Sequence, residues 1–321
     1  MANKEPNLKN RKAQVGLEKI VVNVKNNWQL YVMFLLPLAY ILIFHYGPMY
    51  GLQIAFKDYK VKLGITGSPW VGLKHFRKFF TSYKFSELLS NTLGLTLYNL
   101  FVGFPIPIIL ALFIHVCNHK FLKKLTQNIS YIPHFISVAV LIGIAGQMLN
   151  PVSGFYGTVY RAFGGEGYPA DLRINPTFFR DEYVWTGVWQ NMGWDTIIYV
   201  SALCGVSPEL HEAAEIDGAS RWKRVLHVDI PAILPTICIL LILRCGKVMA
   251  LGYEKIYLLQ NDVNLSKSEV ISTYVYKIGL GKQQFSFATA VGLFNSVVNS
   301  VILVVVNFIT RKVSNGEKGL F

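Results

Sequence analysis

Six predominantly apolar stretches divide the chain, at about residues 28–46, 92–117, 129–149, 183–206, 230–252 and 285–309. Each is apolar nearly all round, so the choice between helical and strand periodicity carries little information; length decides. About 20 apolar residues cross a bilayer as a helix. In lipid only a helix or a closed barrel satisfies its own backbone, and runs this long mean helices. The pattern predicts an all-α polytopic membrane protein with six transmembrane helices.

The polar segments between them differ in character. Residues 47–91 form a long aromatic-rich and glycine-rich connection with a turn at Gly67-Ser68-Pro69-Trp70. Residues 150–182 carry Pro151, Gly154 and the turn-forming Gly164-Gly165-Glu166-Gly167, and residues 253–284 are polar and expected to be partly helical. On the opposite side, 118–128 reads as a short basic turn with Lys120, Lys123 and Lys124, and 207–229 is the longest connection of that side. The division is an N-terminal arm at 1–27, a membrane domain at 28–310 and a tail at 311–321.

Composition agrees with this division. The chain is 52% hydrophobic and 15% charged, against about 25% charged in soluble domains. Its net charge of +13 comes from basic residues flanking the apolar segments, which excludes nucleic acid as the expected partner and implies contact with membrane lipid. With the N-terminus inside, 15 Lys and Arg fall in the inner segments, 14 in the longer outer ones and two in the fifth span. The higher inner density favours both termini in the cytoplasm. The first apolar stretch is too long for a signal h-region and has no small-residue cleavage site after it. Cys117, Cys204, Cys238 and Cys245 all sit in or at the ends of spans; no disulfide framework is indicated.

One polar stretch is the most specific. Residues 212–231 hold a compact Glu212-Ala213-Ala214 cluster, a turn at Asp217-Gly218, and an exit of Val228, Ile230 and Pro231. Ser207-Pro208 offers an N-cap followed by proline at the first helical position. Glu209, Glu212 and Glu215 recur every third residue and give that helix an acidic face, while two alanines let it approach another surface closely. Gly218 ends it, and Ser220 caps a second helix with Arg221, Lys223 and Arg224. A helix–turn–helix at a membrane face results.

The spacing from Glu212 to Pro231 resembles the EAA coupling loop (here 207–231) of the permease subunits of binding-protein-dependent ABC importers. The likeness is closest to the carbohydrate branch, around the larger maltose-type permease subunit. Three further stretches carry the resemblance: Trp70-Val71-Gly72-Leu73-Lys74-His75-Phe76, Asn91-Thr92, and Gly252-Tyr253-Glu254-Lys255-Ile256-Tyr257-Leu258-Leu259 with Gln260-Asn261. The last is typical of a subgroup importing oligosaccharides or complex sugars. His75 stands where that element usually has Asn, and His211 where the family often has Tyr. The resemblance implies an ABC type I importer permease in a bacterial plasma membrane. Its partners would be a second homologous permease, a dimeric ATPase that binds ATP and Mg, and an extracytoplasmic solute-binding protein. Glu212, Ala213, Ala214, Asp217, Gly218 and Pro231 would then couple the chain to that ATPase. No Gly-x-x-x-x-Gly-Lys-Ser/Thr loop occurs in the chain itself, so catalysis and cofactors are expected elsewhere.

A transport path should show as polar residues inside spans. Candidates are Asn191, Trp194 and Asp195 beside Gln190, with Gly193 permitting a local break; Arg244 and Lys247, one turn apart; Tyr253 after the fifth span; and Asn295 and Asn299. Two cations on one buried face need an anion. Either Asp195 supplies it internally, or Lys247 snorkels to the surface, or the pair meets an acidic solute such as a uronic or sialic acid. His115 and His119 are four apart with no third ligand nearby in sequence, and no Cys/His metal spacing occurs. The alternatives are a permease for a non-sugar solute, a secondary transporter, for which related halves are missing, and a membrane enzyme, for which no His/Asp/Glu cluster is legible.

Overall fold

The computed structural model describes residues 23–313. The expected N-terminal arm up to 22 and the tail from 314 lie outside the described residues. No sheet forms among the described residues, only one antiparallel bridge between Lys57 and Trp70.

The first span starts as α1, Trp28–Ile41, and continues through a π turn and a 3-10 stretch to Phe56. After α2, Lys74–Phe80, the second span runs from Lys84 to Val116. It starts earlier than the apolar run and breaks at Phe104 into α3, Lys84–Gly103, and α4, Pro105–Val116. Pro105 and Pro107 remove two N–H donors there. Next come α5, Lys120–Tyr131, and α6, Val138–Met148, then α7, Phe155–Ala162, and α8, Phe178–Cys204. The loop helices are α9, Pro208–Ile216, and α10, Arg221–Arg224; a π turn at Val225–Asp229 leads into α11, Ile230–Cys245. Short helices α12, Tyr253–Leu259, α13, Leu265–Ser268, and α14, Ile271–Tyr276, precede the last span, α15, Phe285–Val313.

Four of these spans, Trp28–Phe56, Lys84–Val116, Arg221–Cys245 and Phe285–Lys312, are long and apolar enough to cross a membrane as they stand. The bent pair Lys120–Phe135 and Val138–Met148 supplies a fifth if taken as one. The expected third span is thus not a single helix. Its halves meet at 107°, because Pro133 ends the first in a 3-10 turn and the Ser137 hydroxyl caps the second by accepting from Val140 N–H. The expected basic turn at 118–128 is helix: Phe121, Leu122, Leu125 and Ile129 form one apolar stripe opposite the lysines. The expected fourth span, α8, is 27 residues long; Gln190, Asn191 and Asp195 in its middle make it too polar to join the apolar set.

α8 packs against α3, α4, α5 and α11, which makes it the axis of the bundle. Gly193 does not break it. A Cβ there would lie 2.1 Å from the Ser130 carbonyl oxygen, so the glycine lets α8 and α5 touch backbone to backbone. One apolar cluster (Leu95, Phe179, Val184, Ile256) surrounds the N-terminal half of α8, and a second (Ala111, Tyr199, Leu203, Ile233) its C-terminal half. A third, around Phe79, joins α2, α3, α14 and α15, with edge-to-face rings from Phe85, Phe287 and Phe294. By contrast, no residue of α1 is buried.

The motif positions outside the spans act as ties. His75 is buried and bonds the Lys57 carbonyl at 3.1 Å. The Asn91 amide donates to the Ser266 and Glu269 carbonyls, fastening α3 to the connection between α11 and α15.

Candidate functional site

The loop at 207–231 folds as two helices joined by a glycine turn. Ser207 has extended backbone and Pro208 opens α9, but the Ser207 side chain makes no capping hydrogen bond; the expected cap is one of backbone shape only. At the other end Gly218 has φ +72°. Its N–H donates to Glu215 O at 3.0 Å and the Ala219 N–H to Ala214 O at 2.9 Å, the paired bonds of a Schellman closure. The Ser220 hydroxyl caps α10 by accepting from Lys223 N–H, as expected. Arg224 reaches back across the turn to Glu215 at 2.9 Å.

Glu212, Ala213, Asp217 and Gly218 are exposed and Ala214 is half-buried. Ile216 is 87% exposed and Trp222 65%. An acidic, small-residue helix with a bare isoleucine at its tip is a surface built to be covered. α10 is no separate surface helix: it continues through the π turn into α11 as the single span Arg221–Cys245. Pro231, at the start of α11, has no N–H to donate, and the turn preceding it is the π-wound one. α9 is therefore linked to a membrane helix through a single glycine turn.

The second candidate site is a polar cavity of about 240 Å³ between α3, α8, α11 and α12, lined by Asn99, Gln190, Asn191, Asp195, Arg244 and Lys255 among others. Arg244 donates to Asp195 at 2.6 Å and to the Gly103 carbonyl at 2.8 Å, so the cation has the internal anion that was one of the three sequence alternatives. Asn191 donates to Gly187 O and faces His134 at 3.1 Å. His134 in turn stacks on Trp194, with ring centroids 4.4 Å apart. Lys255 donates to the Tyr183 carbonyl at 2.8 Å and lies over the Tyr183 ring; it forms no ion pair among the described residues. Burial pulls its ammonium down to about 8, against the raising influence of Glu182.

The remaining path candidates sit elsewhere. α11 ends at Cys245, so Lys247 lies on the following turn, exposed, and does not share a helical face with Arg244. Asn295 donates to Met249 O at 2.8 Å and Asn299 accepts from Met249 N at 2.7 Å; together they clamp that turn to α15. Tyr253 stacks on Tyr276 at 4.7 Å and lines, with Asn295, a wider cavity beside α15. Sequence reasoning passed over Asn99, His134 and Lys255. Asn99 could have been found as a polar residue inside an apolar run; Lys255 lies in a polar connection, where a lysine draws no attention.

Comparison with known proteins gives a consistent result. The sequence pattern of the family described as "Binding-protein-dependent transport system inner membrane component" matches residues 87–315. The chain is 40% identical to the polygalacturonan/rhamnogalacturonan transport system permease protein YteP of Bacillus subtilis, over 95% of this chain and 94% of that one. It is 38% identical to the protein LplB of the same organism, over 95% of each. It also superposes, with a TM-score of 0.83 and 36% identity, on a chain of a bacterial alginate ABC transporter solved with its alginate-bound periplasmic protein, covering 93% of this chain and 98% of that one.

Proposed function

Because the chain belongs to the family of binding-protein-dependent transport system inner membrane components, we propose that it is the permease subunit of an ATP-driven importer of acidic oligosaccharides. It forms half of the translocation path with a second permease and is driven by separate ATPase subunits that carry the ATP and Mg. It receives solute from an extracytoplasmic binding protein, a reading supported by the alginate transporter solved in complex with its alginate-bound periplasmic protein, and sits in a bacterial plasma membrane with both termini inside. The chain performs no catalysis.

The observation that carries the coupling role is the loop: an exposed acidic helix closed by Gly218 at φ +72° and joined through that one turn to the continuous span Arg221–Cys245. ATP-driven closure of the ATPase pair would move α9 and, through α10, the bundle as a rigid body. Glu212 meets a basic residue of the ATPase, and Ile216 fills an apolar contact beside it. Replacing Glu212 by Ala is expected to weaken co-purification of the ATPase from membranes and to reduce uptake in proportion. Unchanged co-purification with unchanged uptake would remove the loop from this role.

Two findings support an acidic solute. Relatives are described as carrying polygalacturonan or rhamnogalacturonan and the acidic polysaccharide alginate. Within the polar cavity Arg244 is neutralised by Asp195, which leaves Lys255 as the ammonium available to a carboxylate. A preference of the assembled transporter for neutral over acidic oligosaccharides would contradict the solute class and leave the coupling role standing.

A further inference from the structure

Three residues that no sequence spacing connects meet beneath the loop. His115 ends the second span, His211 lies on the buried side of α9, and Asp229 closes the π turn before α11. His211 Nε2 is 3.2 Å and His115 Nε2 3.6 Å from the same Asp229 oxygen, Oδ1, and the three candidate ligand atoms all lie within 4.8 Å of one another. Asp229 is 1% exposed. Its Oδ1 and the His211 Nε2 are both buried without a hydrogen-bond partner.

A buried carboxylate oxygen without a donor is costly and calls for a compensating charge. Two imidazole nitrogens converging on it supply the ligand set of a borderline transition metal, and zinc accepts N and O donors in a tetrahedral arrangement. With bonds of about 2.0–2.1 Å, tetrahedral ligand atoms stand about 3.4 Å apart. Two of the three edges, 3.2 and 3.6 Å, already have about that length, and the third, between the two imidazoles, is no longer than 4.8 Å. The histidine side chains are 23% and 25% exposed, which leaves a way in and a fourth position for water.

We propose that His115, His211 and Asp229 form a binding site for a divalent transition metal of the zinc class, which staples the loop helix α9 to the ends of the second and fifth spans. The ligands come from the three elements whose relative position fixes the loop on the bundle, so an occupied site stiffens the joint through which force would pass. That consequence for coupling rests on the permease reading above; metal binding does not.

The test uses the purified full-length protein in detergent, stripped with chelator and titrated with Zn²⁺ alone or Co²⁺ alone. The expected result is one zinc bound per chain, a rise in melting temperature on its addition, and with cobalt the visible d–d absorption of a tetrahedral N/O site. All three signals are lost in His211→Tyr, which keeps an aromatic ring at that position, and in Asp229→Asn. Retention of zinc by both variants, or no stoichiometric binding by the natural sequence, would overturn the proposal.

Discussion

At Gly218 the backbone stands at φ +72° with nothing within 4 Å of where a Cβ would be. A side chain there would meet no obstacle but would carry the cost of the left-handed conformation, roughly 1–2 kcal/mol. Gly218→Ala is therefore expected to loosen the α9–α10 turn mildly, seen as faster proteolysis at the loop while the melting temperature of the bundle hardly moves. Gly193 is the opposite case: its φ is ordinary, but the Ser130 backbone occupies the space. Gly193→Ala must push α5 off α8, and overpacking of this kind costs about 1–3 kcal/mol; a clear drop in melting temperature checks it. Lys255, with its ammonium near 8, stays charged below that pH and loses its proton above it. If it meets an acidic solute, uptake falls as external pH rises through about 8, and Lys255→Gln both lowers uptake and flattens that profile.

Among the elements, apolar stretches long enough for lipid are legible because the bilayer imposes one simple requirement on length and composition. The breaks are not legible in the same way. A 107° corner between α5 and α6 depends on Pro133 and Ser137 inside a stretch that hydropathy averages into one run. The continuity of α10 with α11 crosses from a charged segment into an apolar one, where the pattern suggested a boundary. The loop itself was readable because its constraints are local: a proline start, a glycine stop and small residues between. The polar cavity was only half readable. Asn191, Asp195 and Arg244 stand out as polar residues in apolar runs, yet their pairing joins residues far apart in the chain, as does the His115–His211–Asp229 cluster. Asp195→Asn and Arg244→Gln should accordingly be non-additive, with an interaction energy of about 0.5–3 kcal/mol in a double-mutant cycle. Additive losses would mean that the two side chains act separately.

For the whole molecule, the large uncovered apolar faces are informative. α1 buries none of its residues, and Trp222, Leu226 and Phe113 leave an apolar groove beside the loop. Such faces call for cover by lipid or other chains, which the second permease and the ATPase proposed above would provide. The central claim is that the loop at 207–231 is the face on which that engine docks. The direct measurement is cross-linking in membranes of the assembled transporter, with a single cysteine in place of Ala213 or, as the control on the opposite side, of Trp70, in a background lacking the four native cysteines. The account predicts a permease–ATPase adduct from Ala213→Cys, altered in yield by ATP, and none from Trp70→Cys. An adduct from Trp70→Cys with none from Ala213→Cys would contradict both the coupling role and the orientation of the chain.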